Sequence, residues 1–370
     1  MTPDPYTQNI VPEEPNTVIR VFVLDDSAFA RKALTHILNS SPFIEVVATA
    51  ADGPSALKLI PKVQPDVVLV DLIMPGMDGA EFIQQLMKTH PLPVIVCTSA
   101  KIDSELARAA LEAGAMEFVQ KPTLHPSPKL YEIEQELIHK VRLVAAYPKE
   151  QFLRLIQTPR TSSLPSPTAE KTYLQAVVIG VSPGGPQALR FLIPALGPDF
   201  PLPIAIAIHM PEGFTAWFAE SLSQLTPLEV VEADNDLPMQ PRRVILAKAG
   251  WHLSLQPKGT RIVCRLDLEP ATYPHRPAVD ILFSSAAEVY APRLVGVVMT
   301  GIGTDGLEGA RAIKKHGGIV LTESKESCVV FGMPRAVQEA GLSDLAIPLQ
   351  QLPETLRLLA QKTAPPLLPP

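Results

Sequence analysis

The run Gly180-Val181-Ser182-Pro183-Gly184-Gly185 directly follows the apolar stretch Ala176 to Ile179. A strand that feeds a glycine-bracketed serine and then a helix puts the hydroxyl at the C-terminal edge of a parallel sheet. The glycines leave room for the sharp turn. Two more apolar runs end in chemistry-bearing residues. Ile204 to Ile208 runs into His209, and Leu294 to Met299 runs into Gly301-Ile302-Gly303-Thr304-Asp305. A nucleophile, a base and a carboxylate can thus each occupy a strand end, on the rim where ligands of open α/β sheets gather.

Upstream, the same strand–helix rhythm carries a different set of rim residues. Val18 to Leu24 ends at Asp25 and Asp26, Val67 to Val70 at Asp71, and Val94 to Cys97 at Thr98, while Glu117 to Val119 leads to Lys121-Pro122. Three clustered carboxylates repel one another unless a cation joins them. A hard divalent ion such as Mg²⁺, which takes oxygen ligands and keeps waters, resolves that conflict. A lysine and a hydroxyl beside it suit a bound phosphoryl group. The alternative is a set of solvated carboxylates that merely cap helices.

Length and composition bound the rest. A chain of 370 residues with 46% hydrophobic content is expected to form two or three globular domains, each with its own core. The net charge of −6 argues against a nucleic-acid binder that works by phosphate neutralisation. No apolar run approaches the roughly 18 to 20 residues of a membrane span, and the polar, Pro-rich start does not read as a secretory signal. The expected location is therefore cytoplasmic. Cys97, Cys264 and Cys328 are scattered and form neither a disulfide framework nor a metal-ligand pair.

The segment 157–172, QTPRTSSLPSPTAEKT, has no apolar period and reads as an extended connector. Before it, Ile133, Leu137, Val141 and Val144 suit an amphipathic helix within 131–156. The terminal residues 364–370 read as disordered. The expected organisation is a first domain over 18–146, a helix end and linker over 147–172, and a second domain over 173–362. Both domains are expected to be α/β with mainly parallel sheets, the second doubly wound.

The first domain resembles a known family. Asp25-Asp26, Asp71-Leu72-Ile73-Met74-Pro75-Gly76-Met77-Asp78-Gly79, Thr98-Ser99-Ala100 and Lys121-Pro122 are similar to the receiver domain of two-component response regulators. The resemblance implies a five-stranded, flavodoxin-like sheet. It implies that Asp71 accepts a phosphoryl group and that Asp25, Asp26, Asp71 and the backbone carbonyl of Ile73 hold Mg²⁺. It also implies that Thr98 and Lys121 contact the phosphoryl group, with Phe118 at the switch-aromatic position.

In the second domain the order Ser182, His209, Asp305 differs from the usual α/β-hydrolase order, although triads are defined by geometry and roles. Taken singly, Ser182 and Asp305 read as helix N-caps, Ser182 with Pro183 at the first helical position, and His209 as a hydrogen-bonded strand end. A competing pattern is Gly301-x-Gly303-x-x-Gly306, a dinucleotide fingerprint with Glu323 as its ribose-binding acid. It accounts for neither Ser182 nor His209. Cys328 reads as a structural thiol, and His275 either lines a substrate groove or is surface structure.

A wider resemblance bears on this choice. Ile208-His209-Met210-Pro211, Gly213-Phe214-Thr215, His275-Arg276-Pro277-Ala278-Val279-Asp280, Met299 to Gly306 and Ser327 to Arg335 are similar to the catalytic domain of the chemotaxis response-regulator methylesterases. The resemblance implies hydrolysis of γ-glutamyl methyl esters and deamidation of glutamines on chemoreceptors, with a histidine kinase as phosphodonor. Membrane association would then come only through the receptors. It implies Ser182 as nucleophile, His209 as base and Asp305 as orienting acid, with no cofactor for the hydrolytic step. Two positions depart from the family's pattern. Ile73 stands where glutamate is frequent, and Pro183 stands where Thr or Ala is usual. Proline has no N–H, so the oxyanion donors are expected among the amides of Gly184, Gly185 and Ile302. The contrasting expectation is a non-catalytic response regulator that only binds its partner.

Overall fold

The computed structural model describes residues 18–100, 105–122, 128–145 and 174–361. The expected linker at 157–172, the helix beyond residue 145 and the tail at 364–370 lie outside the described residues. The chain divides into two compact units, Met1–Ile156 and Gln157–Pro370.

The first unit alternates strand and helix: β1 (Ile19–Leu24), α1 (Ala28–Asn39), β2 (Ile44–Ala50), α2 (Gly53–Val63), β3 (Val67–Val70), α3 (Gly79–Thr89), β4 (Val94–Thr98), α4 (Glu105–Ala113), β5 (Glu117–Gln120) and α5 (Glu134–Ala145). Its five strands run parallel in the order β2-β1-β3-β4-β5, the flavodoxin-like winding. All of β3 and β4 is buried, because helices cover both faces and the strands must be apolar throughout. The last helix starts later than its apolar spacing suggests. Residues Pro128–Ile133 form a 3-10 turn, and Leu130 and Ile133 are buried three residues apart, the repeat of that tighter helix.

The second unit contains β6 (Ala176–Val181), α6 (Gly185–Leu196), β7 (Ile204–Ile208), α7 (Phe214–Ser223), β8 (Glu229–Glu232), β9 (Arg243–Leu246), β10 (His252–Lys258), β11 (Arg261–Asp267), α8 (Val279–Tyr290), β12 (Leu294–Val298), α9 (Leu307–Lys315), β13 (Ile319–Glu323), α10 (Met333–Glu339), β14 (Leu345–Ile347) and α11 (Leu352–Gln361). Seven strands form a parallel sheet in the order β14-β13-β12-β6-β7-β9-β8. The hairpin β10-β11 is antiparallel and separate. β6, β7 and β12 are buried along their whole length. Each Ile or Val removed from water there contributes about 1.5 to 3 kcal/mol.

The winding reverses at β6, which pairs with β7 on one side and β12 on the other. That is the topological switch point, where a crevice opens at the strand ends. Gly180, near the end of β6, lets α8 approach closely, since a Cβ there would come within 2.2 Å of Val279 Cγ1.

The helix after the serine does not begin as the sequence suggests. It starts at Gly185, with Gly184 at the N-cap in a left-handed conformation (φ 81°). Ser182 is therefore not the cap, and Pro183 lies in the preceding turn rather than at the first helical position. A Cβ on Gly184 would also meet Val329 Cγ2 at 2.3 Å, so both the turn and its packing require glycine.

Candidate active site and phosphoacceptor site

In the first unit, β1 and β3 are neighbours, and Asp71 N–H donates to Leu24 O at 2.9 Å. This pairing sets Asp71 beside Asp25 at the sheet's switch point. Asp25, Asp26 and Asp71 offer carboxylate oxygens that lie within 4.8 Å of one another, with Asp26 exposed and the other two buried. Lys121, at the end of β5, places Nζ 2.5 Å from both Asp25 Oδ2 and Asp71 Oδ2. Burial alone would lower the Lys121 pKa, but the Asp71 and Asp25 carboxylates outweigh it and push it up to about 12. Lys121 is charged at every physiological pH.

Thr98 is buried, and its hydroxyl accepts from Ala100 N–H at 3.1 Å. Phe118 is buried, and Lys140 Nζ donates to its carbonyl. Ile73 is 44% exposed, and its N–H donates to Asp71 Oδ1 at 3.2 Å, so its backbone lies against the Asp71 carboxylate. Three carboxylates facing one opening form an oxygen-only donor set that fits a hard divalent cation.

In the second unit, the three chosen side chains converge from adjacent strands. Ser182 follows β6, His209 follows β7 and Asp305 follows β12, and these strands are immediate neighbours in the order β12-β6-β7. His209 Nδ1 lies 3.0 Å from Ser182 Oγ, and His209 Nε2 lies 2.9 Å from Asp305 Oδ2. The imidazole that fits both contacts carries its proton on Nε2, donates it to Asp305 and leaves Nδ1 to accept from the serine. Ser182 is only 6% exposed.

Asp305 does more than face the histidine. Its Oδ2 also accepts from Val279 N–H at 2.8 Å, and its Oδ1 accepts from Asp280 N–H at 2.9 Å. The carboxylate thus sits at the N-terminus of α8, a helix other than the one it precedes. Burial would raise its pKa, but His209 and these amides hold it below the usual carboxylate range.

Asp280 returns the contact, its Oδ1 accepting from Gly306 N–H at 2.9 Å and Gly309 N–H at 2.7 Å at the start of α9. Two helix N-termini are therefore each satisfied by a carboxylate from the other. Burial and the nearby Asp305 charge push the Asp280 carboxyl up to about 6. Nothing in the spacing of Val279-Asp280 signals this exchange; only the meeting of α8 and α9 creates it.

His275 stacks on His209, with ring centroids 4.4 Å apart and an interplanar angle of 28°. His275 is exposed to solvent on its other side, yet partial desolvation by its neighbours and the adjacent His209 push its pKa down to about 4, so it is a neutral ring against the imidazole. The turn after Ser182 is held from below. Ser182 N–H donates to Thr300 O at 2.9 Å, and Thr300 Oγ1 donates to Pro183 O at 2.8 Å.

Gly185 N–H donates to Ser182 O at 2.7 Å and closes the turn. Of the three amides expected as oxyanion donors, that of Gly185 therefore already has a partner within the turn. Glu323 is fully buried, accepting from Thr300 N–H and from the Ser327 hydroxyl, each at 2.9 Å. A carboxylate so enclosed cannot meet a ribose, so the dinucleotide pattern is coincidental. Cys328 is buried and its thiol is raised well above its ordinary pKa by burial, which fits a structural role.

A carboxylate-lined receiver rim in one unit and a serine–imidazole–carboxylate relay at the switch point of the other describe a response-regulator hydrolase. Two family models match the chain: "Response regulator receiver domain" over residues 21–130 and "CheB methylesterase" over residues 177–356. A relative from Myxococcus xanthus (strain DK1622), named protein-glutamate methylesterase/protein-glutamine glutaminase 5, is 46% identical over 92% of this chain and 97% of its own length. One from Pyrococcus abyssi (strain GE5 / Orsay), named protein-glutamate methylesterase/protein-glutamine glutaminase, is 37% identical over 91% of this chain and 92% of its own. The crystal structure of the Thermotoga maritima CheB methylesterase catalytic domain is 40% identical, covers 51% of this chain and all of that one, and aligns with a TM-score of 0.49. The chain belongs to the family of protein-glutamate methylesterases/protein-glutamine glutaminases that join a receiver to a CheB methylesterase domain.

Proposed function

We propose that this chain hydrolyses glutamate γ-methyl esters on chemoreceptors and deamidates receptor glutamines, under control of phosphorylation at Asp71. The observation that carries the hydrolytic reading is the Ser182–His209–Asp305 relay, at 3.0 and 2.9 Å. Ser182 Oγ attacks the γ-carbonyl carbon as its proton passes to His209 Nδ1. Asp305 stabilises the resulting imidazolium through Nε2. The tetrahedral intermediate collapses, and His209 returns the proton to the departing methoxide, releasing methanol, or to the amine in deamidation, releasing ammonia. Water then attacks the acyl-enzyme with His209 again as base, freeing the glutamate and Ser182. The oxyanion falls to the amides of Gly184 and Ile302, since Pro183 has no N–H and Gly185 is committed. Each well-placed donor is worth roughly 3 to 4 kcal/mol.

In the receiver, Asp25, Asp26 and Asp71, with the Ile73 carbonyl, would hold Mg²⁺, which neutralises phosphoryl oxygens when bound. Asp71 attacks the phosphorus of a histidine kinase's phosphohistidine or of a small phosphodonor, the P–N or P–O bond to the donor breaks and the imidazole or donor oxygen leaves with its electron pair, and Lys121 and Thr98 then bind the transferred phosphoryl oxygens. The partners are thus methyl-accepting receptors and a histidine kinase, with no nucleic acid. The protein acts in the cytoplasm and meets the membrane only through receptors, consistent with the absence, among the described residues, of any helix long and apolar enough to cross it.

A second reading, a non-catalytic response regulator, is favoured by Pro183 alone. Methanol release from methylated receptor membranes separates the two. Turnover by the wild type that Ser182→Ala abolishes supports hydrolysis. Release unchanged in Ser182→Ala removes Ser182 from the mechanism, and no release by the wild type leaves the binding role.

A further inference from the structure

Beneath the nucleophile lies a carboxyl group that the hydrolytic steps do not use. Glu323, the last residue of β13, is wholly removed from solvent. Its Oε2 accepts from Thr300 N–H at 2.9 Å, and its Oε1 accepts from Ser327 Oγ at 2.9 Å. Ser327 Oγ is fixed in turn by Leu349 N–H at 2.8 Å. Thr300, also wholly buried, carries the contact forward. Its carbonyl accepts from Ser182 N–H at 2.9 Å, and its hydroxyl donates to Pro183 O at 2.8 Å while accepting from Val330 N–H at 2.9 Å. The Ser182 amide and the carbonyl of the next residue, Pro183, are thus tied to one residue, and Glu323 ties that residue's own amide.

We propose that Glu323 is a positioning residue for hydrolysis, acting through Thr300 to hold the turn that carries Ser182. This rests on the assignment of Ser182 as nucleophile. A carboxylate is suited to the task because both of its oxygens accept without a competing proton, and a charge-assisted bond is stronger than a neutral one. The groups that face it are the Thr300 amide from the end of β12, Ser327 and the Cys328 thiol from the next loop, and Gln338 from α10, which reaches its backbone carbonyl. Among the described residues no cation pairs with it, and burial pushes its pKa up to about 7. The carboxylate form therefore gives way to the acid within the physiological range.

Glu323→Gln keeps an acceptor for Thr300 N–H and can donate to Ser327, whose hydrogen then turns towards Ser324 O, 3.4 Å away. It mimics the protonated acid. The ratio of wild-type to Glu323→Gln kcat, measured for methanol release from pH 5.5 to 8.5, cancels any pH dependence that the two enzymes share. We expect the ratio to lie near one at the acid end. It should rise through about pH 7 to about fivefold, the factor separating a charge-assisted bond from a neutral one, with KM unchanged. Glu323→Leu, which strands Thr300 N–H, is expected to lose more activity than the Gln variant at every pH. A flat ratio, in an enzyme whose turnover Ser182→Ala abolishes, overturns the positioning role and leaves the mechanism standing. Amide NMR of the full chain tests the coupling without turnover. The Thr300 and Ser182 amide shifts should titrate together near pH 7 in the wild type and not in Glu323→Gln. Amides that do not move refute the proposal even if no esterase activity is found.

Discussion

Asp305→Asn separates a carboxylate that orients a catalytic base from one that only caps a helix, because in this structure it bonds both His209 and the start of α8. Asp305 Oδ2 serves His209 Nε2 and Val279 N–H, and Oδ1 serves Asp280 N–H. An asparagine has one acceptor oxygen. If that oxygen keeps the Oδ2 position, the amide hydrogens point at Asp280 N–H. If the amide nitrogen takes Oδ2, it confronts His209 and Val279 N–H, and the imidazole must move its proton to Nδ1. Nδ1 is the nitrogen that faces Ser182, so the base is lost.

Either outcome also removes the charge that stabilises the imidazolium. By analogy with other triads, kcat should fall about 10³- to 10⁴-fold, which is about 4 to 5.5 kcal/mol of transition-state stabilisation. The loss of the α8 cap should cost only about 1 kcal/mol, a few degrees in the melting temperature of a unit this size. Because the native Asp305 pKa is depressed, its contribution to stability is present above the unfolded carboxylate value and is lost as pH falls through the native one. The melting temperatures of wild type and variant should therefore converge in acid. Methanol release and thermal melts at several pH values test this. Activity within tenfold of wild type, with an unchanged fold, would refute the orienting role and reduce Asp305 to a cap.

The remaining expectations concern both units. His209→Ala should be about as damaging as Ser182→Ala, and the double variant little worse than either, since members of one relay are not additive; multiplicative losses in the methanol assay would argue against a shared unit. With acetyl phosphate and Mg²⁺ the intact mass should gain one phosphoryl group, absent in Asp71→Asn and with excess chelator; an adduct that survives either change contradicts the acceptor assignment. Glu323→Gln should gain melting temperature relative to wild type as pH rises from about 4.5 to about 7. The raised native pKa means the folded wild type binds more protons than the unfolded chain across that window, so it loses stability there; a constant difference would contradict a buried titrating Glu323.

The chain by itself determined where the strands end and which residues stand there. Apolar runs such as Val67 to Val70 and Ile204 to Ile208 are continuous because parallel strands are buried on both faces, and β3 and β7 have those bounds. Asp71 and His209 follow such runs directly and were legible by position, whereas Asp305 lies beyond the glycine-rich turn after β12. Sequence could not supply the order of the strands, since neighbours in the sheet are distant in the chain: β12 sits beside β6 only because the winding reverses there.

That adjacency decides which side chains meet. It puts Asp305 against both His209 and the start of α8, exchanges caps between Asp280 and Asp305, and stacks His275 on His209. It also buries Glu323, which by spacing alone looked like the acid of a dinucleotide site. Local pattern fixes a residue's element and its place along it. Hydrogen-bond partners and burial depend on what packs across from it, and those groups come from segments tens of residues away. The commitment of Gly185 N–H to Ser182 O is short in range, yet it too escaped the pattern, because it depends on the left-handed backbone of Gly184 that only the folded turn imposes.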